Sequence, residues 1–107
     1  MITEYIQVFT TVEKREDAER IASTVVKKRV AACAQIVGPI RSTYWWKGKV
    51  EEAEEWLVMM KTRRGLFSSL EKEIKALHPY EVPEIIALPI VAGSAPYLEW
   101  IQAETKK

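Results

Sequence analysis

The chain's only histidine, His78, opens the run His78-Pro79-Tyr80-Glu81-Val82-Pro83-Glu84, which gathers an imidazole, a phenol and two carboxylates in one short stretch. Pro79 and Pro83 fix their own φ angles and push His78 and Val82 toward extended backbone, so these groups are presented with little conformational freedom. An imidazole beside carboxylates can ligate a metal or move a proton, and the same arrangement also suits a plain structural corner. The second soft donor is Cys33, the sole cysteine. A thiolate with an imidazole is the donor chemistry copper and zinc prefer, while its neighbours Ala31, Ala32 and Ala34 are the company of a small buried hydrophobe. Glu81 and Glu84 would make a harder oxygen site. The sequence has no CxxC or HxxxH spacing, so His78, Cys33, Glu81 and Glu84 are candidate metal ligands that need completion, either between subunits or by carboxylates near His78. Met59 and Met60 sit in a strand-like run and read as core filler.

Other chemistry finds less support. No nucleophile, base and orienting group stand in a recognisable catalytic pattern, so no catalytic residue is assigned and no cofactor is obligatory. Glu51, Glu52, Glu54 and Glu55 form an acidic run that reads as a solvated arm. Lys47, Lys49, Lys61, Arg63 and Arg64 lack the glycine-rich loop of a phosphate cradle. Sixteen Lys and Arg against fifteen Asp and Glu leave a net charge of +1, which gives no electrostatic footprint for nucleic acid. No apolar run approaches the roughly 20 residues of a membrane span. A lone cysteine and the absence of a leader pattern at Met1-Ile2-Thr3-Glu4 point to the cytosol. At 107 residues the chain fits one domain, residues 1–107, whose small core would gain from burial in an oligomer. The lack of Asn and the abundance of Glu and Lys suit surface ion-pair networks and hint at a thermophilic source.

The elements that position these groups follow from periodicity. Tyr5 to Thr10, aromatic and β-branched, reads as a strand. From about Glu13 the period changes: Ala18, Ile21, Ala22, Val25 and Val26 mark one face of a helix, with Glu16 and Asp17 at its start and Lys27 to Arg29 at its end, as the helix dipole favours. Ala31 to Trp46 reads as a long strand, bent or bulged near Gly38-Pro39, that turns at Lys47-Gly48-Lys49 and returns through Trp56 to Thr62. Leu66, Phe67, Leu70, Ile74 and Leu77 mark a second helix. Ile85 to Val91 reads as a strand apolar on both faces, with Pro89 where no partner needs an N–H. Ser94 is placed to cap a last helix carrying Pro96 in its first turn and Tyr97, Leu98 and Ile101 as its apolar stripe. The order predicts an α+β fold, a ferredoxin-like βαββαβ sandwich with a long β-hairpin and an extra C-terminal helix.

Three segments carry a family resemblance: Val30-Ala31-Ala32-Cys33-Ala34, Tyr44-Trp45-Trp46-Lys47-Gly48-Lys49-Val50-Glu51 and the His78 to Glu84 run. Their order and spacing resemble the CutA divalent-ion tolerance family over essentially the whole chain. The resemblance implies a cytosolic homotrimer, similar in architecture to the PII signalling proteins and associated with tolerance of copper and other divalent metals. His78 and Cys33 are the matching soft donors, because Phe9 and Leu77 stand where some CutA-like chains carry Cys and His. The alternative implied by the architecture is a signalling or interaction module that takes a small molecule or protein partner and affects metals only indirectly. Adjacent strand residues point to opposite faces, so Trp45 and Trp46 cannot share one cover, and a neighbouring subunit is the expected cover for one of them, the alternative being that the final helix folds back over it.

Overall fold

A computed structural model describes residues 4–106. Strand β1 (Tyr5–Val12) leads into helix α1 (Arg15–Lys27), then the hairpin strands β2 (Cys33–Trp46) and β3 (Lys49–Arg63). A short 3-10 turn (Arg64–Leu66) precedes α2 (Phe67–Leu77), followed by β4 (Ile86–Pro89) and α3 (Ala95–Glu104). The four strands form one antiparallel sheet in the order β2-β3-β1-β4, the ferredoxin-like arrangement expected from the element order. Among the described residues no helix is long and apolar enough to cross a membrane.

Strand alternation decides what lies under the helices. Ile6, Val8, Thr10 and Val12 of β1 and Val58, Met60 and Thr62 of β3 are buried on one face, where Ala18, Ile21 and Val25 of α1 and Leu70 and Ile74 of α2 are also buried. Each large side chain so buried contributes about 1.5–3 kcal/mol. Thr62 keeps its hydroxyl in this core by donating to the Val30 carbonyl at 2.7 Å.

The hairpin turns as its residues dictate. Lys47 and Gly48 both have positive φ, 51° and 83°, which is the backbone of a two-residue type I′ turn whose twist matches the flanking strands. The register slips between Val37 and Ile40, placing the bulge at Gly38-Pro39. Gly38 is required there because a Cβ would stand 2.5 Å from the Trp56 ring.

Two expectations change. Strand β4 spans only Ile86–Pro89, and Ile86 and Leu88 are 48% and 49% exposed rather than buried on both faces. It is an edge strand that pairs with β1 alone, which accommodates Pro89 but leaves its apolar side chains uncovered within the chain. Ser94 does occupy the N-cap of α3, but through its carbonyl, which accepts the Leu98 N–H at 3.0 Å, with no side-chain cap bond. Helix α3 folds back onto the sheet near the start of β1 and the end of β3. Ile101 is buried, Tyr5 donates its hydroxyl to Gln102 at 3.0 Å, and Arg63 Nε donates to Thr105 Oγ1 at 2.9 Å.

Candidate functional site

Helix α2 ends where Pro79 demands it. The His78 N–H makes the last helical bond, to the Ile74 carbonyl at 2.9 Å, and His78 itself is extended at φ −80°, ψ 131°. That geometry swings the imidazole onto the end of β1, with Nε2 2.8 Å from the Thr11 carbonyl oxygen. A carbonyl only accepts, so Nε2 carries the proton, and Nδ1 is left to accept the Tyr80 N–H at 3.2 Å. Both ring nitrogens are thus engaged by backbone. Burial lowers the His78 pKa from its ordinary value and outweighs the opposing pull of the Thr11 hydrogen bond and of Asp17 and Glu55, so the ring is neutral at pH 7.

The loop beyond His78 carries Tyr80 to the far strand. Its ring meets the imidazole edge-on, centroids 4.6 Å apart, and its hydroxyl donates to Glu55 Oε2 at 2.7 Å. Burial, and then the Glu55 carboxylate, raise the phenol's pKa far above its ordinary value, so Tyr80 stays a donor throughout the physiological range. Glu55 was expected in a solvated acidic arm; it is only 5% exposed, whereas Glu51, Glu52 and Glu54 do face solvent. The difference arises because the His78–Glu84 loop closes over β3 at this point, and the phenol supplies the hydrogen bond that burial requires.

Between that loop and the hairpin lies an open groove of about 620 Å³. Tyr44, Trp45, Trp46 and Tyr80 supply its aromatic lining, and Glu13, Glu55, Glu81 and Glu84 its carboxylates. Lys47 reaches over from the hairpin turn, its ammonium 5.5 Å from the Trp46 ring centroid and 3.9 Å from Glu81 Oε1.

Of the four metal-ligand candidates, Glu81 and Glu84 line this groove and His78 stands behind it, buttressing Tyr80. Cys33 is elsewhere. It opens β2 opposite Lys61, half-buried, with Sγ 3.8 Å from the Tyr97 hydroxyl. The Thr11 that holds His78 pairs with Leu57, four residues along β3 from Lys61, so thiol and imidazole are offset by roughly 13 Å along the strands. Among the described residues no three His, Cys, Asp or Glu side chains converge where a metal ion could be held. Met60 is fully buried and Met59 half-buried. Glu13, Glu55 and Tyr44 are groove residues to which the sequence reading gives no site role, placing Glu55 in a solvated arm and Tyr44 in the hairpin; the one signal for Glu55 was its place on the strand face opposite Trp56 and Val58.

Residues 6–104 match the CutA1 divalent ion tolerance protein family. The chain belongs to the CutA1 family. It is 46% identical over 98 residues to the divalent-cation tolerance protein CutA of Thermus thermophilus, an alignment covering 92% of this chain and 95% of that one. It is also 44% identical over 102 residues to the chloroplastic protein CutA 1 of rice, Oryza sativa, covering 95% of this chain but 58% of the rice protein, so it spans little more than half of that relative's length. The crystal structure of CutA1 from Oryza sativa superimposes with a TM-score of 0.95 at 43% identity, covering 98% of this chain and 96% of that one. The CutA1 match embraces both the hairpin and the His78 loop, the two segments that wall the groove.

Proposed function

We propose that this CutA1 chain acts as one cytosolic domain in a homotrimer that binds copper or other divalent cations and so supports divalent-ion tolerance. Uncovered apolar surface carries this reading. Trp45 is 74% exposed and Val91 75%, and with Ile86 and Leu88 of the edge strand they leave side chains that a second copy would bury. Association would also bring donors of neighbouring copies together, whereas among the described residues of one chain no three His, Cys, Asp or Glu side chains converge. In such a site Cys33 would supply a thiolate, Glu81 and Glu84 carboxylates, and His78 its Nδ1 once the Tyr80 N–H releases it. The proposed role is that of a binding protein rather than an enzyme, since no nucleophile, base and orienting group stand in a recognisable catalytic pattern in the sequence.

The test joins sedimentation equilibrium with calorimetric titration of metal-free protein by Cu(II), Zn(II) and reduced Cu(I). A trimer with saturable binding, lost in His78→Ala or Cys33→Ser or weakened in Glu81→Gln or Glu84→Gln, is the expected result. A monodisperse monomer, or weak binding indifferent to all four substitutions, would overturn it. The groove favours the second reading, a PII-like module that receives a small molecule or protein partner, because its concave aromatic and polar lining is that of a ligand site. Ligand binding by an assembly that takes up no metal would favour that reading.

A further inference from the structure

We infer that the groove between the hairpin and the His78 loop is a site for linear polyamines, with alkyl chain against Tyr44 and Trp46 and ammonium groups on Glu55, Glu81 and Glu84. This goes beyond metal tolerance and does not depend on it. Three observations converge on an organic cation. The lining combines aromatic faces with four carboxylates and includes no Lys, Arg or His. A compact metal ion uses only the carboxylates, and here no three of these converge on a point. An alkyl ammonium uses both, because methylenes pack on rings while the ammonium meets ring faces and carboxylates.

The chain's own Lys47 displays this recognition. Its four-carbon ammonium arm lies at the Trp46 ring and Glu81 together, so one alkyl ammonium already occupies the pair of groups assigned to the ligand. At 71% side-chain exposure it is a displaceable occupant rather than a fixed partner. Deeper in the groove, Glu55 is held in place by the Tyr80 hydroxyl at 2.7 Å on Oε2. Its acceptor capacity exceeds that one bond, and a cation would complete it. Trp45 also lines the groove but stands on the opposite strand face from Tyr44 and Trp46 and is 74% exposed, so no ligand contact is assigned to it and a neighbour covering it would leave Tyr44 and Trp46 in place.

The experiment is calorimetric titration of the purified full chain, in its native assembly, with spermidine at low salt. Hexaamminecobalt(III), of equal charge but without methylenes, and Mg²⁺ serve as controls. Saturable spermidine binding is expected, tighter than either control. Trp46→Ala and Glu55→Gln should each weaken it about five- to tenfold, with sedimentation and circular dichroism unchanged. Lys47→Asn, which keeps a residue tolerant of positive φ in the turn, should tighten it about two- to fivefold by removing the internal competitor. Equal binding of hexaamminecobalt(III) would reduce the effect to charge alone and overturn the proposal. So would an affinity unchanged in Trp46→Ala or Lys47→Asn, or no saturable heat up to millimolar spermidine. Loss of copper binding or of the trimer would leave these outcomes unaffected.

Discussion

Replacing Tyr80 by Phe removes one oxygen atom and tests the contact that ties the His78 loop to the hairpin. The phenol donates to Glu55 Oε2 at 2.7 Å, and Glu55 is 95% buried by its 5% relative exposure, so the lost bond ends on a carboxylate with limited access to water. Hydrogen bonds to charged groups contribute about 1.5–3 kcal/mol. Water entering from the open groove would replace part of that, which brings the expected loss to about 1–2 kcal/mol. Urea unfolding at fixed protein concentration, with the slope unchanged and the midpoint lowered, reads the loss directly; the concentration must be held constant because association would couple to stability. The cycle of Tyr80→Phe with Glu55→Ala isolates the pair. In the Glu55→Ala background the Tyr80→Phe penalty should fall by about 1 kcal/mol or more. A penalty identical in both backgrounds, or a Tyr80→Phe midpoint equal to that of the parent, would refute the claim that this bond anchors the loop.

Burial lowers the His78 pKa against Asp17 and Glu55, so the unfolded chain binds the proton more readily than the folded one. Stability is therefore full above the unfolded value of about 6.5 and declines as pH falls from there toward the lower folded pKa. Urea midpoints of the metal-free protein should show that decline, and His78→Gln should flatten it; a slope retained in His78→Gln would assign it to other groups. Gly38→Ala should cost about 1–3 kcal/mol, because the new Cβ would meet the Trp56 ring at 2.5 Å and the bulge must shift to admit it; an unchanged thermal midpoint would show that Trp56 moves freely. Ile74→Ala removes a side chain with 0% exposure from between α2 and the sheet and should cost about 2–5 kcal/mol in chemical denaturation. A loss under about 1 kcal/mol would mean that the cavity is refilled.

What the amino-acid order settles alone is the local architecture. The spacing of Ala18, Ile21 and Val25 commits α1 to one buried face, Pro79 stops α2 at Leu77, and Lys47-Gly48 turns the hairpin at the one place where glycine supplies the second positive φ. Each depends on neighbours within a few residues, so periodicity and backbone preference suffice. The groove is a different matter. Glu55 reads as one of four solvated glutamates, and only the arrival of Tyr80, 25 residues away, makes it a buried acceptor. His78 reads as a free ligand until its ring is seen bound to Thr11, 67 residues earlier. Ile86 and Leu88 read as core, yet they lie on an edge strand that only the sheet order identifies. In all three cases the side chain's chemistry is plain in the sequence and its partner is not. Pairing register and loop closure join segments whose separation carries no local signal, and these long-range contacts decide whether a carboxylate or an imidazole faces water, protein or a ligand.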